Sequence, residues 1–175
     1  MRQRLAMAAM VAAGLAGCAG GSSDTTPPTA RCHVRGHGVF VLPDARCTPG
    51  AVDARVREDN IYSTICRRGY TRTVRPPSEE TGREKRMSMT AYGDAGEPSA
   101  YEYDHLIPLS LGGAPNDARN LWPEPGASPN PKDRLESRLR RAVCRGSLPL
   151  GSAQRQIAEN WVRAYAAWVG PAGAG

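Results

Sequence analysis

Residues 101–108 read Tyr-Glu-Tyr-Asp-His-Leu-Ile-Pro, and their alternation of larger apolar and polar side chains predicts a strand. Gly112-Gly113 then supplies a turn, Pro115-Asn116-Asp117 lengthens the loop, and Asn120-Leu121-Trp122-Pro123 is read as the return strand. After a proline-rich loop, Pro131 marks a helix start, because proline's missing N–H costs nothing at the first helical position. Leu135, Leu139 and Val143 follow at i, i+4 and i+8, so one face of that helix is buried. The order strand, glycine turn, return strand, helix defines an α+β protein in which a hairpin and its helix are embedded in a small, mainly helical domain.

Working outward, residues 32–50 hold the apolar run Val39-Phe40-Val41-Leu42 and turn signals, which predict a short strand followed by irregular chain. Residues 51–66, with Val52, Val56, Ile61 and Ile65, are expected to form a short helix. Arg75-Pro76-Pro77 must be extended, since each proline disfavours helix in the residue before it. Residues 79–92 have a helix-forming composition apart from Gly82 and gather Arg83, Lys85 and Arg86, a cluster read first as a solvated face. A last helix is placed from Ser152, with Ile157, Trp161, Tyr165 and Trp168 on one side, ending at Gly170-Pro171.

The start of the 175-residue chain reads as an export signal. Arg2 and Arg4 precede an apolar run from Leu5 to Leu15 that is too short for a bilayer span of ~20 residues. It ends in Leu15-Ala16-Gly17-Cys18, which resembles the bacterial lipobox, so residues 1–17 are expected to be removed and Cys18 lipidated. The Gly/Ser/Pro-rich stretch 18–31 is read as a tether, 32–170 as the folded domain and 171–175 as a tail. Removing Arg2 and Arg4 takes the formal charge from +6 to +4. The exported part stays basic, which favours anionic partners, nucleic acid or lipid headgroups, without choosing between them. Four cysteines remain, Cys32, Cys47, Cys66 and Cys144, and outside the cytoplasm two disulfides are the default, with three connectivities open. A zinc site built from these cysteines is disfavoured because no C-x-x-C pair occurs. His33 and His37 are spaced by four in a glycine-rich loop and are read as solvated.

The signatures D-H-L-I-P-L-x-L-G-G, N-L-W-P-E-P and K-D-x-x-E between Tyr101 and Trp161 resemble the divergent HNH-endonuclease-like (ββα-metal) domains of exported bacterial proteins. Upstream pieces, C-T-P-G-A, T-I-C-x-x-G-Y-T and V-R-P-P, extend the resemblance to about 47–168, with the ββα core at about 101–145. The resemblance implies that His105 is the general base that activates water, a role suited to an imidazole titrating near neutral pH. It makes Asp104 a ligand of a divalent ion, Mg²⁺ first, with Mn²⁺, Ca²⁺ or Zn²⁺ as alternatives. Asn120 then holds the two β-segments together and helps orient the histidine. The third motif position, usually a histidine, falls at Asn130, which is open between metal ligand and helix N-cap. Asp133 and Glu136 are either replacement carboxylates or ordinary helix-terminal charges.

Arg134, Arg138, Arg141 and Arg145 recur along one helical face, either a track for a phosphate backbone or a solvated basic face. The sequence thus leads to an expectation of a metal-dependent endonuclease acting on DNA or RNA with little sequence specificity. It would be held in the cell envelope by a lipid anchor, at the outer membrane or periplasmic face, or be extracellular. No obligate protein partner is evident. The alternatives are a non-catalytic envelope lipoprotein or nucleic-acid-binding module of the same fold, and a toxin-like effector.

Overall fold

The computed structural model describes residues 31–126 and 128–171. The predicted signal 1–17, the predicted lipidation site Cys18 and most of the tether lie outside them, as do the last four residues of the tail. Four strands and four α-helices follow one another: β1 (Arg35–His37), β2 (Phe40–Leu42), α1 (Tyr70–Val74), α2 (Ser78–Tyr92), β3 (Tyr101–His105), β4 (Leu121–Pro125), α3 (Pro131–Cys144) and α4 (Leu150–Trp168). Two separate antiparallel hairpins, β1-β2 and β3-β4, stand among the helices, so the architecture is α+β.

The β3-β4 hairpin matches the reading of residues 101–123, with a shorter first strand. Pairing runs from Tyr101 opposite Pro125 to His105 opposite Leu121. Strand β3 stops at His105 because the Asn120 side chain takes over both backbone groups of Ile107: its Oδ1 accepts from the Ile107 N–H at 2.9 Å and its Nδ2 donates to the Ile107 carbonyl at 2.9 Å. The same amide donates to the Ala114 carbonyl at 3.1 Å. A Cβ on Gly113 would run into the Ile107 carbonyl and the Asn120 amide, which is why the turn carries a glycine there.

Helix α3 starts where Pro131 places it. Asn130 is its N-cap, its Oδ1 accepting from the N–H groups of Lys132 (2.8 Å) and Asp133 (3.2 Å), while Asp133 Oδ2 accepts from the Asn130 N–H at 2.8 Å. Leu135, Leu139 and Val143 are buried and share one core with Leu150, Ala153, Ile157 and Trp161 of α4. Burial of each such large side chain contributes about 1.5–3 kcal/mol. The α4 backbone leaves helical geometry at Asn160, whose Oδ1 then accepts from the Arg163 N–H at 2.8 Å and restarts the helix. Trp161, fully buried, donates from Nε1 to the Val41 carbonyl at 2.8 Å, tying the first hairpin to α4.

Residues 51–66 depart from the expected helix. Val52 bridges Gly113 in an antiparallel pair, and Asp53 N–H donates to the Gly112 carbonyl at 2.9 Å, so the chain is extended there. Asp53 then folds back on the N–H of Arg55 at 3.0 Å, and the hydroxyls of Ser63 and Thr64 both donate to the Asn60 carbonyl. Such side chains offer the backbone local partners that compete with helix, and only a 3₁₀ turn, Glu58–Asn60, survives. Val56, Ile61 and Ile65 still reach the core, while Val52 is exposed.

The four cysteines pair as Cys32–Cys47 and Cys66–Cys144, with Cα separations of 6.0 and 5.6 Å. Two disulfides fit an oxidising compartment. Among the described residues no helix is long and apolar enough to cross a membrane.

Candidate active site

Antiparallel register sets opposite residues on one face of a hairpin, and alternate residues share that face. In β3-β4, Glu102 faces Glu124 and Asp104 faces Trp122, so three carboxylates line the side against which the start of α3 packs. A protein interior accepts such a set only with a cation or a proton to balance it. The cation comes from α3. Lys132, 1% exposed, extends its ammonium between the hairpin and its own helix. Its Nζ donates to Asp104 Oδ2 at 2.6 Å, to the His105 carbonyl at 2.9 Å and to Glu136 Oε1 at 2.7 Å. All three ammonium protons therefore have oxygen partners.

Burial alone would lower the Lys132 pKa, but the carboxylates of Asp104, Glu136 and Glu124 outweigh it and hold the amine's pKa above its ordinary value. Glu124, 1% exposed, behaves in the opposite sense: burial first, and the negative charge of Asp104 second, push its carboxyl up to about 10. Neither Glu124 oxygen has a donor facing it. Protonation resolves both problems, since a neutral Glu124 donates its hydroxyl to the Asp104 carboxylate and removes the repulsion. Glu136 is raised by burial and pulled back by Lys132. At the outer edge, Glu102 Oε2 accepts from Asn130 Nδ2 at 3.3 Å.

His105 lies beside this cage and turns away from it. Its carbonyl serves Lys132, while its ring brings Nε2 to 2.8 Å from the Pro115 carbonyl, and the residue as a whole is 6% exposed. A carbonyl only accepts, so Nε2 carries the proton and Nδ1 keeps its lone pair. Burial holds the imidazole's pKa below its ordinary 6.5, leaving it neutral at neutral pH. The Pro115 carbonyl is held in reach by the 107–114 loop that Asn120 staples. Asn120 therefore acts on His105 through the loop and makes no hydrogen bond to the ring.

Beyond the Glu136 end of the cage opens a cavity of about 300 Å³, lined by Thr71, Arg75, Leu109, Ser110, Asp133, Glu136, Ser137, Arg140 and Arg141. Its cationic side chains are three arginines. Arg140 is anchored by Nε donating to the Ile65 carbonyl at 2.8 Å. Of the expected basic face, Arg141 reaches this cleft, while Arg134 and Arg138 are exposed on α3 and do not line it. The groove-facing stripe of α3 is 133, 136, 137, 140 and 141, one step around the helix from the predicted one.

Comparison with protein-family models, with curated proteins and with solved structures finds no match to this chain.

That site does not fit a divalent ion. Asp104 is bound by the Lys132 ammonium, and the Asn130 carbonyl oxygen is occupied by two N–H groups of the helix start. Asn130 has the geometry of a cap. Among the described residues, no group of three or more His, Cys, Asp or Glu side chains is arranged around a common metal position. His33 and His37 are exposed.

Lys132 and Glu124 were not singled out from sequence, although both sit inside the quoted motifs, K-D-x-x-E and N-L-W-P-E-P. The available signal was electrostatic. Glu102, Asp104 and Glu124 fall on one face of a predicted hairpin, and an i, i+4 lysine–glutamate pair opens the next helix.

Proposed function

We propose that this chain is an HNH-like phosphodiester hydrolase acting on nucleic acid, exported and lipid-anchored through Cys18. The observation that carries this reading is the His105 Nε2 contact to the Pro115 carbonyl, which fixes the tautomer and leaves Nδ1 as a base on a neutral imidazole. In the reaction, Nδ1 takes a proton from water, the water oxygen forms a bond to phosphorus, and the bond from phosphorus to the leaving sugar oxygen breaks. That oxygen takes up a proton from solvent. Arg75, whose charge is felt at the His105 imidazole, would hold a phosphate oxygen as charge develops on it, while Arg140 and Arg141 line the same cleft as Arg75, which His105 itself does not line, and would hold the flanking strand. The envelope location rests on the sequence signal, and the two disulfides accord with it.

A second reading, nucleic-acid binding without hydrolysis, is favoured by one observation: His105 is 6% exposed, which leaves little room for water at its base nitrogen. Supercoiled plasmid and single-stranded RNA, incubated with the folded protein in EDTA and with added Mg²⁺, Mn²⁺, Ca²⁺ or Zn²⁺, separate the two. Hydrolysis in any arm, lowered by about 10²-fold or more in His105→Ala with binding retained, supports the enzyme. No cleavage in every arm, with binding intact, transfers the conclusion to the binding module.

A further inference from the structure

Lys132 has an unusual position for a lysine. Its ammonium is nine-tenths or more buried, it lies at the junction of β3 and α3, and its three partners are two carboxylate oxygens and one backbone carbonyl at 2.6, 2.7 and 2.9 Å. Two carboxylates and one carbonyl are oxygen donors of the kind a hard cation takes, and with Lys132 in place no three His, Cys, Asp or Glu side chains among the described residues are arranged to hold one. Ca²⁺ binds such oxygens at about 2.3–2.6 Å, so closing the cage on an ion would require each oxygen to move by only a few tenths of an ångström. The position is filled by the chain itself.

We propose that the Lys132 ammonium is the resident cation of this site, standing where the resemblance puts a divalent ion and excluding it, so that the protein carries out its function without a metal. The inference rests on reading the β3-β4-α3 unit as HNH-like, but its consequences concern ion binding and are independent of whether nucleic acid is cleaved. A single fixed charge replaces a double one, and it comes with folding instead of from solution. Asp104 therefore serves to neutralise and position Lys132. Glu136, which touches both Lys132 and the arginine-lined cleft, links that buried charge to the surface where an anion would dock.

Two features separate this arrangement from an ordinary buried ion pair. Lys132 is satisfied by groups from both the hairpin and its own helix, and it uses the His105 backbone carbonyl as its third partner. Removing the ammonium leaves Asp104, Glu136 and the His105 carbonyl pointing at one vacated volume. A small residue at 132 opens that volume to a cation from solution; an apolar residue of lysine's length fills it without supplying charge.

The test follows melting temperature and ion binding in the full exported protein, using the metal alone as probe. For wild type, neither EDTA nor millimolar Ca²⁺ or Mn²⁺ should change the melting temperature, and calorimetric titration should show no binding at this site. Lys132→Ala should be strongly destabilised in EDTA and recover with Ca²⁺ or Mn²⁺, by about 5 °C or more, as expected for a ligand that binds only the folded state. Lys132→Met should be destabilised without recovery. A wild-type protein that loses stability in EDTA, that cleaves nucleic acid only when a divalent ion is added, or that binds either ion in a manner abolished by Asp104→Asn, overturns the proposal. So does a Lys132→Ala protein that responds to neither ion, whether or not it folds. Failure of the hydrolysis assay leaves these ion-binding results untouched.

Discussion

Glu124 is the residue whose chemistry departs furthest from its surface behaviour. In the unfolded chain it ionises at its ordinary value of 4.5; folded, burial beside Asp104 pushes it up to about 10. The folded state thus holds one more proton than the unfolded state between those values, and the sign of the linkage follows. Stability from this group is full below pH 4.5 and falls as pH rises toward the folded value. Glutamine keeps the shape, donates through its amide to Asp104 as the protonated acid does, and cannot ionise. Glu124→Gln is therefore expected to match wild type near pH 4 and to exceed it at pH 8 by up to about 5 kcal/mol, read from urea midpoints at each pH. A stability difference independent of pH would mean that Glu124 is charged in the native protein. What the sequence does not reveal about this residue is its burial, although the hairpin's alternation already sets it on one face with Glu102 and Asp104. A glutamate in Asn-Leu-Trp-Pro-Glu looks like the end of an exposed strand until α3 covers that face.

Among the elements, the β3-β4-α3 unit was legible because each signal in it is local: proline at the first helical turn, apolar residues at helical spacing, paired glycines where a Cβ cannot fit. Residues 51–66 depart from the helix that their spacing predicts for the converse reason. Their apolar spacing is helical, but Asp53, Asn60, Ser63 and Thr64 bind nearby backbone, and the extended start is set by Gly112 and Gly113, over fifty positions away. The alternative roles of Asn130, ligand or cap, rested on one side-chain oxygen, and only the geometry of the helix start shows how that oxygen is used. With so little regular structure in it, the 51–66 segment depends on its covalent tie. Cys66–Cys144 fastens it to the end of α3 across a separation of 78 residues, against 15 for Cys32–Cys47. Chain-entropy arguments give about 4–5 kcal/mol for the longer loop and about 3 kcal/mol for the shorter. Replacing Cys66 and Cys144 together by alanine should lower the denaturant midpoint more than replacing Cys32 and Cys47. The reverse order would show that native strain or residual unfolded structure outweighs loop length.

For the molecule as a whole, the question is where its positive charge can meet a polyanion. The chain carries +6 in total, but formal charge says nothing about placement. Several arginines are engaged: Arg46, Arg55 and Arg119 each close on an aspartate two residues before them, which draws the pKa of Asp44, Asp53 and Asp117 down through the guanidinium hydrogen bonds. The cleft beside Glu136 differs, since Arg75 from the extended segment before α2 and Arg141 from α3 line one cavity together with Ser110 and Ser137. A strand of nucleic acid crossing that cleft would release one counterion for roughly each phosphate neutralised, so the slope of log K against log salt counts the contacts. The double substitution Arg75→Ala, Arg141→Ala should weaken binding to plasmid and to RNA alike and make that slope shallower by about two units, one per arginine. Arg134→Ala with Arg138→Ala removes the same charge from the exposed side of α3 and should change the slope by clearly less, because a diffuse field is screened within about 10 Å at 0.1 M salt. Equal changes from the two pairs would mean that the whole basic face of α3, and not the cleft, carries the nucleic acid.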